Sequence, residues 1–185
     1  MPYFDSESAA EAVAMLVNLA GGRLHKVAVL KLLYFADREA ISKSHMMTRS
    51  TFYSMPRGPV SSEVLDLING VTSHPQWQHY LRTDGNIVTL VRPLEIENLS
   101  PYEMGLIRQH WDEHCHHVDP LEFPAALVEY SHTLTEWHDP GVNERVPITH
   151  EDILRAHNLT AEHMAEILED FDDVISGLEW LERCA

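Results

Sequence analysis

Residues Val27 to Asp37, reading VAVLKLLYFAD, are apolar nearly all the way round a helix, so this helix must be buried on most of its sides. Lys31 is the only charge between Val27 and Ala36. Its ammonium has to reach the surface along its own stem or meet an acceptor inside. Asp37 lies on a different face of the same helix, whereas Arg38, seven residues on from Lys31, lies on its line. Lys31, Arg38 and Ser42, flanked by Tyr34, therefore form a polar line along a greasy helix predicted from about Leu24 to Ser44. That line needs water, a carboxylate or a partner.

The flanks of this helix carry clear punctuation. Asp5 or Ser6 can cap a first helix through Ala9, Ala12, Val13, Leu16 and Val17, and Gly21 with Gly22 ends it. Thr48 to Met55, rich in β-branched and aromatic residues, reads as a short extended segment stopped by Pro56 to Pro59. Gly58 allows a positive φ and Pro59 fixes the turn before a short helix that Ser61 or Ser62 can cap. His74 and Pro75 open a turn of helix at most. Tyr80 to Val91 reads as a hairpin with Asp84-Gly85 as its turn signal, packing on the helices or pairing with the Thr48 to Met55 segment.

The second half is predicted to be helical. Ser100 to Glu103 reads as a capping box with Pro101 at the first helical position, and Asp119 to Glu122 repeats the arrangement. Thr149 and Thr160 start a short helix and a long terminal one. In the latter Met164, Ile167, Leu168, Phe171, Val174, Ile175, Leu178 and Leu181 recur at helical spacing opposite acidic residues. The architecture expected is a single domain over residues 1–185: α+β, predominantly helical, with six or seven helices, a small hairpin or sheet, and the helices of 149–185 packed on the same body.

Charge divides the chain. Residues 1–92 hold nine Lys and Arg against eight Asp and Glu, whereas residues 93–185 hold four against twenty-one. An acidic half repels phosphate, so direct nucleic-acid binding is not expected, and no stretch reads as a basic recognition helix. The acid either keeps the surface solvated or attracts a basic partner. No apolar run is long enough to span a membrane, and the two cysteines, Cys115 and Cys184, make no CxxC pair. A cytoplasmic protein is expected.

Three blocks carry a family resemblance. KLLYFADRE from Lys31, then Tyr53 to Val60 with Glu63 to Ile68, and finally His132 with Trp137, resemble the Panacea antitoxin domain of SocA-like and phage-associated GepA-like proteins. Ser131 stands where the family more usually has Thr, and Glu136 precedes the Trp. The motifs span residues 31–137. The resemblance implies a bacterial or phage-encoded antitoxin that binds a cognate toxin directly, or, as a first alternative, an adaptor that delivers the toxin to a cytoplasmic protease. The toxin-binding candidates are Lys31, Tyr34, Arg38, Ser42, Tyr53, Arg57, Gly58 and Pro59. Phe35, Asp37, Val60, His132 and Trp137 are read as structural members of the motif.

Signals for catalysis are sparse. There is no P-loop, GxGxxG or GxSxG pattern, and Cys115 has no base in hydrogen-bond reach on its own helix. The enzymatic rival is the HxxEH pattern of His110, Glu113 and His114, in which two histidines one turn apart hold zinc and the glutamate activates water. Met104, Ile107, Trp111, Cys115 and Val118 form the predicted inward stripe of that helix, which leaves His110 and His114 at the core's edge. The sequence names no third ligand, so neither an enzyme, a cofactor nor a resident metal is expected. Adventitious binding by His110, His114, His116 and His117 is the residual possibility.

Overall fold

The computed structural model describes residues 3–115 and 119–184, and among these are eight helices and two small antiparallel sheets. In chain order the elements are α1 (Ser6–Leu19), β1 (Arg23–His25), α2 (Lys26–Ile41), β2 (Phe52–Ser54), β3 (Val60–Ser61), α3 (Ser62–Ile68) and α4 (Pro75–Tyr80). They continue as β4 (Leu81–Asp84), β5 (Ile87–Leu90), α5 (Pro101–Cys115), α6 (Ala125–Ser131), β6 (Val146–Ile148), α7 (His150–Ala156) and α8 (Ala161–Cys184). The α+β, predominantly helical class is as the sequence reads. The helix count exceeds the expected six or seven because the turn after His74 closes into α4, with Pro75 at its first position and the His74 side chain accepting from Gln76 N.

The helix α2 is the axle. It packs against α1, α3, α5, α6 and α7, and every residue from Val27 to Asp37 is buried. One apolar cluster joins α1, α2 and α5 to Ile153, Leu154, Ile167 and Phe171 of the last two helices. Local signals explain the ends of these helices. Asp5 Oδ1 accepts from Ser8 N to start α1, and Ser100 with Glu103 makes the reciprocal capping box of α5. Thr149 and Asp152 do the same for α7.

Several sequence expectations need correction. The hairpin β4–β5 forms, turning at Gly85 with φ +59°, but it pairs with β1 and not with the Thr48 to Met55 segment. The latter supplies β2, which lies between β3 and β6. Residues 23–25 are thus a strand, and α2 begins at Lys26 rather than Leu24. Asp119 does not open a helix: its side chain accepts from Leu121 N in a turn, and α6 starts only after Pro124. Proline disfavours helical geometry at the residue before it, so Phe123 cannot continue a helix begun at Asp119. Finally, the stripe of α5 is rotated from the expected one. Glu103, Leu106, Ile107, His110 and Cys115 are its buried residues and Trp111 is only half-buried, while Val118 falls outside the described residues.

The long helix α8 is covered along part of its apolar stripe. Ile167 and Phe171 are buried, but Val174, Trp180 and Leu181 are exposed. Among the described residues no helix is long and apolar enough to cross a membrane.

Candidate functional site

Lys31 lies in the middle of α2 and is 1% exposed. Its Nζ donates to the carbonyl of Pro59 at 2.6 Å, the only acceptor that holds it among the described residues. Burial pushes its pKa down to about 7, because a charge taken out of water without a carboxylate is disfavoured. The β2–β3 loop is shaped around this ammonium. Gly58 has φ +90°, and a Cβ there would collide with Ser131 Oγ and come within 2.9 Å of Lys31 Nζ. Glycine is therefore required twice over, by conformation and by space.

Above Lys31 opens a cleft of about 700 Å³. Val27, Leu30, Met55 and Leu65 give it an apolar wall, while Lys26, Arg57 and Arg145 bring positive charge against a single acid, Glu144. This is a cationic island on a chain of formal net charge −16. Two guanidinium groups lie over rings, Arg145 over Tyr53 at 4.6 Å and Arg57 over Phe123 at 5.6 Å. Arg57 is exposed and Tyr53 half-buried, whereas Gly58, Pro59 and Val60 are buried.

The polar line ends differently at Arg38. Its Nε donates to Glu136 Oε1 at 2.5 Å and Nη2 to Oε2 at 3.4 Å, and Tyr34 OH donates to the same Oε1 at 3.0 Å. The Glu136 side chain is wholly buried and that of Arg38 is 17% exposed. Burial and the Glu136 charge push the Tyr34 pKa well up, so its phenol remains a donor. Ser42 is buried and its hydroxyl donates to Glu39 O within its own turn. Reversing the charge at Arg38 accordingly perturbs the interior. Glu136 is the carboxylate that the polar line demands, and it sits beside Trp137 in the third motif block, the one sequence clue to it.

The other motif residues knit these parts together. Trp137 Nε1 donates to Met55 O at 3.0 Å, and the Trp137 ring stacks on His132 at 4.0 Å. Asp37 accepts from Thr48 N at 3.1 Å and Thr48 Oγ1 at 2.8 Å, yet complete burial raises its pKa to about 7. Val60 pairs with Tyr53 in the β2–β3 ladder, and Phe35 packs on Tyr130, His114 and His110. Sequence reasoning missed Glu11, which is buried in α1 and accepts from Glu97 N, Asn98 N and Asn98 Nδ2; nothing in the local pattern marks that partner segment.

Among the chemical candidates, Cys115 is buried with its thiol pushed up to about 11, which keeps it protonated and inert. His110, Glu113 and His114 do converge, with one ligand atom each lying within 4.8 Å of the others. His116 and His117 lie outside the described residues.

The family model described as antitoxin SocA-like, Panacea domain, matches residues 29–138, more than half of the chain. No curated protein and no solved structure matches it.

Proposed function

The chain belongs to the SocA-like antitoxin family defined by the Panacea domain, and from that membership we propose that it neutralises a cognate toxin by direct protein–protein contact, without catalysis of its own. The observation that carries the reading is the cleft at Lys31. Its floor and loop come from the matched region, through Lys31, Met55 to Val60 and Leu65, buttressed by Ser131 and Trp137. Arg57 and Tyr53 form the rim that touches the partner; Lys31, Gly58 and Pro59 build the floor; Tyr34, Arg38 and Ser42 stand behind it and hold α2 in place.

The charge pattern suits a toxin whose body is basic. The acidic half steers it by long-range attraction, and a carboxylate or carbonyl-bearing tip enters the cationic cleft. Both parties are then cytoplasmic bacterial or phage proteins, and the unit that binds is the whole of residues 1–185.

Co-expression with the product of the neighbouring open reading frame tests this. Growth should be rescued and the two proteins should co-purify through size exclusion. Rescue that disappears in cells lacking their cytoplasmic proteases would favour the adaptor mode, and failure of the two proteins to associate at all would sink the reading.

A further inference from the structure

The HxxEH segment of α5 brings one oxygen of its glutamate close to both of its histidines. His110 Nδ1 lies 3.7 Å from Glu113 Oε2, and His114 Nε2 lies 4.0 Å from the same oxygen. The two imidazoles are stacked one turn apart with planes 4° from parallel. Beneath them Phe35 of α2 packs at 6.1 Å and 5.1 Å, and Tyr130 of α6 closes on His114 at 4.6 Å. Both nitrogens of His110 and Nε2 of His114 are buried without a hydrogen-bond partner among the described residues. Buried polar atoms are normally paired, so His110 Nδ1 and His114 Nε2, which both lie near Glu113 Oε2, call for a ligand.

We propose that His110 Nδ1, Glu113 Oε2 and His114 Nε2 form a three-ligand site for a divalent transition-metal ion of the zinc class, with the fourth position open to water on the exposed Glu113 side. Two imidazoles and a carboxylate are a donor set that zinc accepts in tetrahedral geometry, at roughly 2.0–2.2 Å from each ligand atom. Moderate side-chain rotation from the present positions brings the three atoms to that radius. The glutamate is already oriented, since its other oxygen, Oε1, accepts from Gln109 Nε2 at 2.9 Å.

This assignment separates the site from a hydrolase. In the hydrolytic use of HxxEH the glutamate is the base that activates water, whereas here it is the third ligand, and the segment's other carboxylate, Asp112, is exposed and not among the three converging groups. The ion would clip one turn of α5 where that helix meets Phe35, and its role is to stiffen the α2–α5 seam. The sequence names no third ligand apart from the two histidines; in this assignment Glu113 takes that place.

The test uses the tag-free full chain. Equilibrium dialysis against zinc alone should leave one ion per chain, and cobalt(II) in its place should give the intense visible absorption of four-coordinate geometry. Melting temperature should rise with zinc and fall back with a chelator. Glu113→Gln, at an exposed position where folding is safe, should weaken zinc binding by about tenfold or more, and His114→Phe should abolish the cobalt spectrum. Less than one ion retained would overturn the proposal. So would retention unchanged in Glu113→Gln, since the chain has thirteen histidines and such binding would be an adventitious ion only.

Discussion

At the Arg38 end of α2, a guanidinium and a phenol converge on one buried carboxylate, and each charge has its opposite. At the Lys31 end, less than two turns away, an ammonium more deeply removed from water than that guanidinium is held by one carbonyl below a cleft lined with more cations. The first arrangement is closed and satisfies itself. The second is electrostatically incomplete, and its loop geometry is fixed by a glycine that no other residue can replace. The contrast teaches that burial alone does not say whether a polar group is satisfied; what differs between the two ends is whether the interior completes the charge.

Breaking the closed end should have the largest effect. Glu136→Ala leaves Tyr34 OH and the Arg38 guanidinium without their acceptor, and should cost about 3–5 kcal/mol in urea unfolding. A loss well under 1 kcal/mol would mean that the pair is not what holds α2 to the 131–138 segment.

Gly58→Ala comes next. Positive φ costs a non-glycine residue roughly 1–3 kcal/mol, and the added methyl also drives Ser131 and Lys31 apart. The expected result is a lowered melting temperature together with lost toxin rescue, because the loop that shapes the cleft must move. An unaltered melting temperature would show that the loop adapts and that its geometry is not exacting.

Lys31→Met sharpens the comparison through pH. The lysine titrates near 7 when folded and near its ordinary 10.5 when unfolded, so between those values the unfolded chain holds the extra proton. Stability therefore rises with pH across that window and is lost as pH falls toward 7. Asp37, raised to about 7, works in a separate window, where its contribution is present at low pH and lost between about 3.8 and 7. Melting curves from pH 7 to 10 should show the rise in the wild type and a flatter line in Lys31→Met. Equal slopes would show that the ammonium is not confined as described.

A smaller and purely electrostatic effect is expected on binding. Partner affinity should weaken from low to high salt, since exposed charges are screened beyond about 8 Å at physiological ionic strength. Acid should weaken it too: protonating all thirteen histidines would reduce the formal charge from −16 to −3. Affinity indifferent to both would leave the acidic half as a solubility device.

Much of this was legible in the residues. The Lys31, Arg38 and Ser42 line follows from helical spacing, and caps such as Ser100 with Glu103 act within one turn. What stayed hidden depends on distance along the chain. Glu136 meets Arg38 across 98 residues, and no local period announces it. Three-residue β1 is too short to show alternation, and it exists only because β5 offers it a ladder. Asp119 failed as a helix start because Pro124 outweighed it, a conflict between two local rules that the sequence left unresolved. His110 was placed at an edge because the stripe was centred on Trp111, whereas packing from α2 and α6 turns the helix toward its histidine side.

The claim that the open end of α2 is where the partner docks is tested most directly by Arg57→Glu. Arg57 is exposed at the cleft rim with its guanidinium over the Phe123 ring, so its loss should leave the circular-dichroism spectrum and melting temperature close to wild type. Toxin affinity, measured by calorimetry against the purified partner, should fall by about 1–2 kcal/mol or more, and rescue in cells should fail. Wild-type affinity in a folded Arg57→Glu protein would contradict the account, and would move the contact away from the Lys31 cleft.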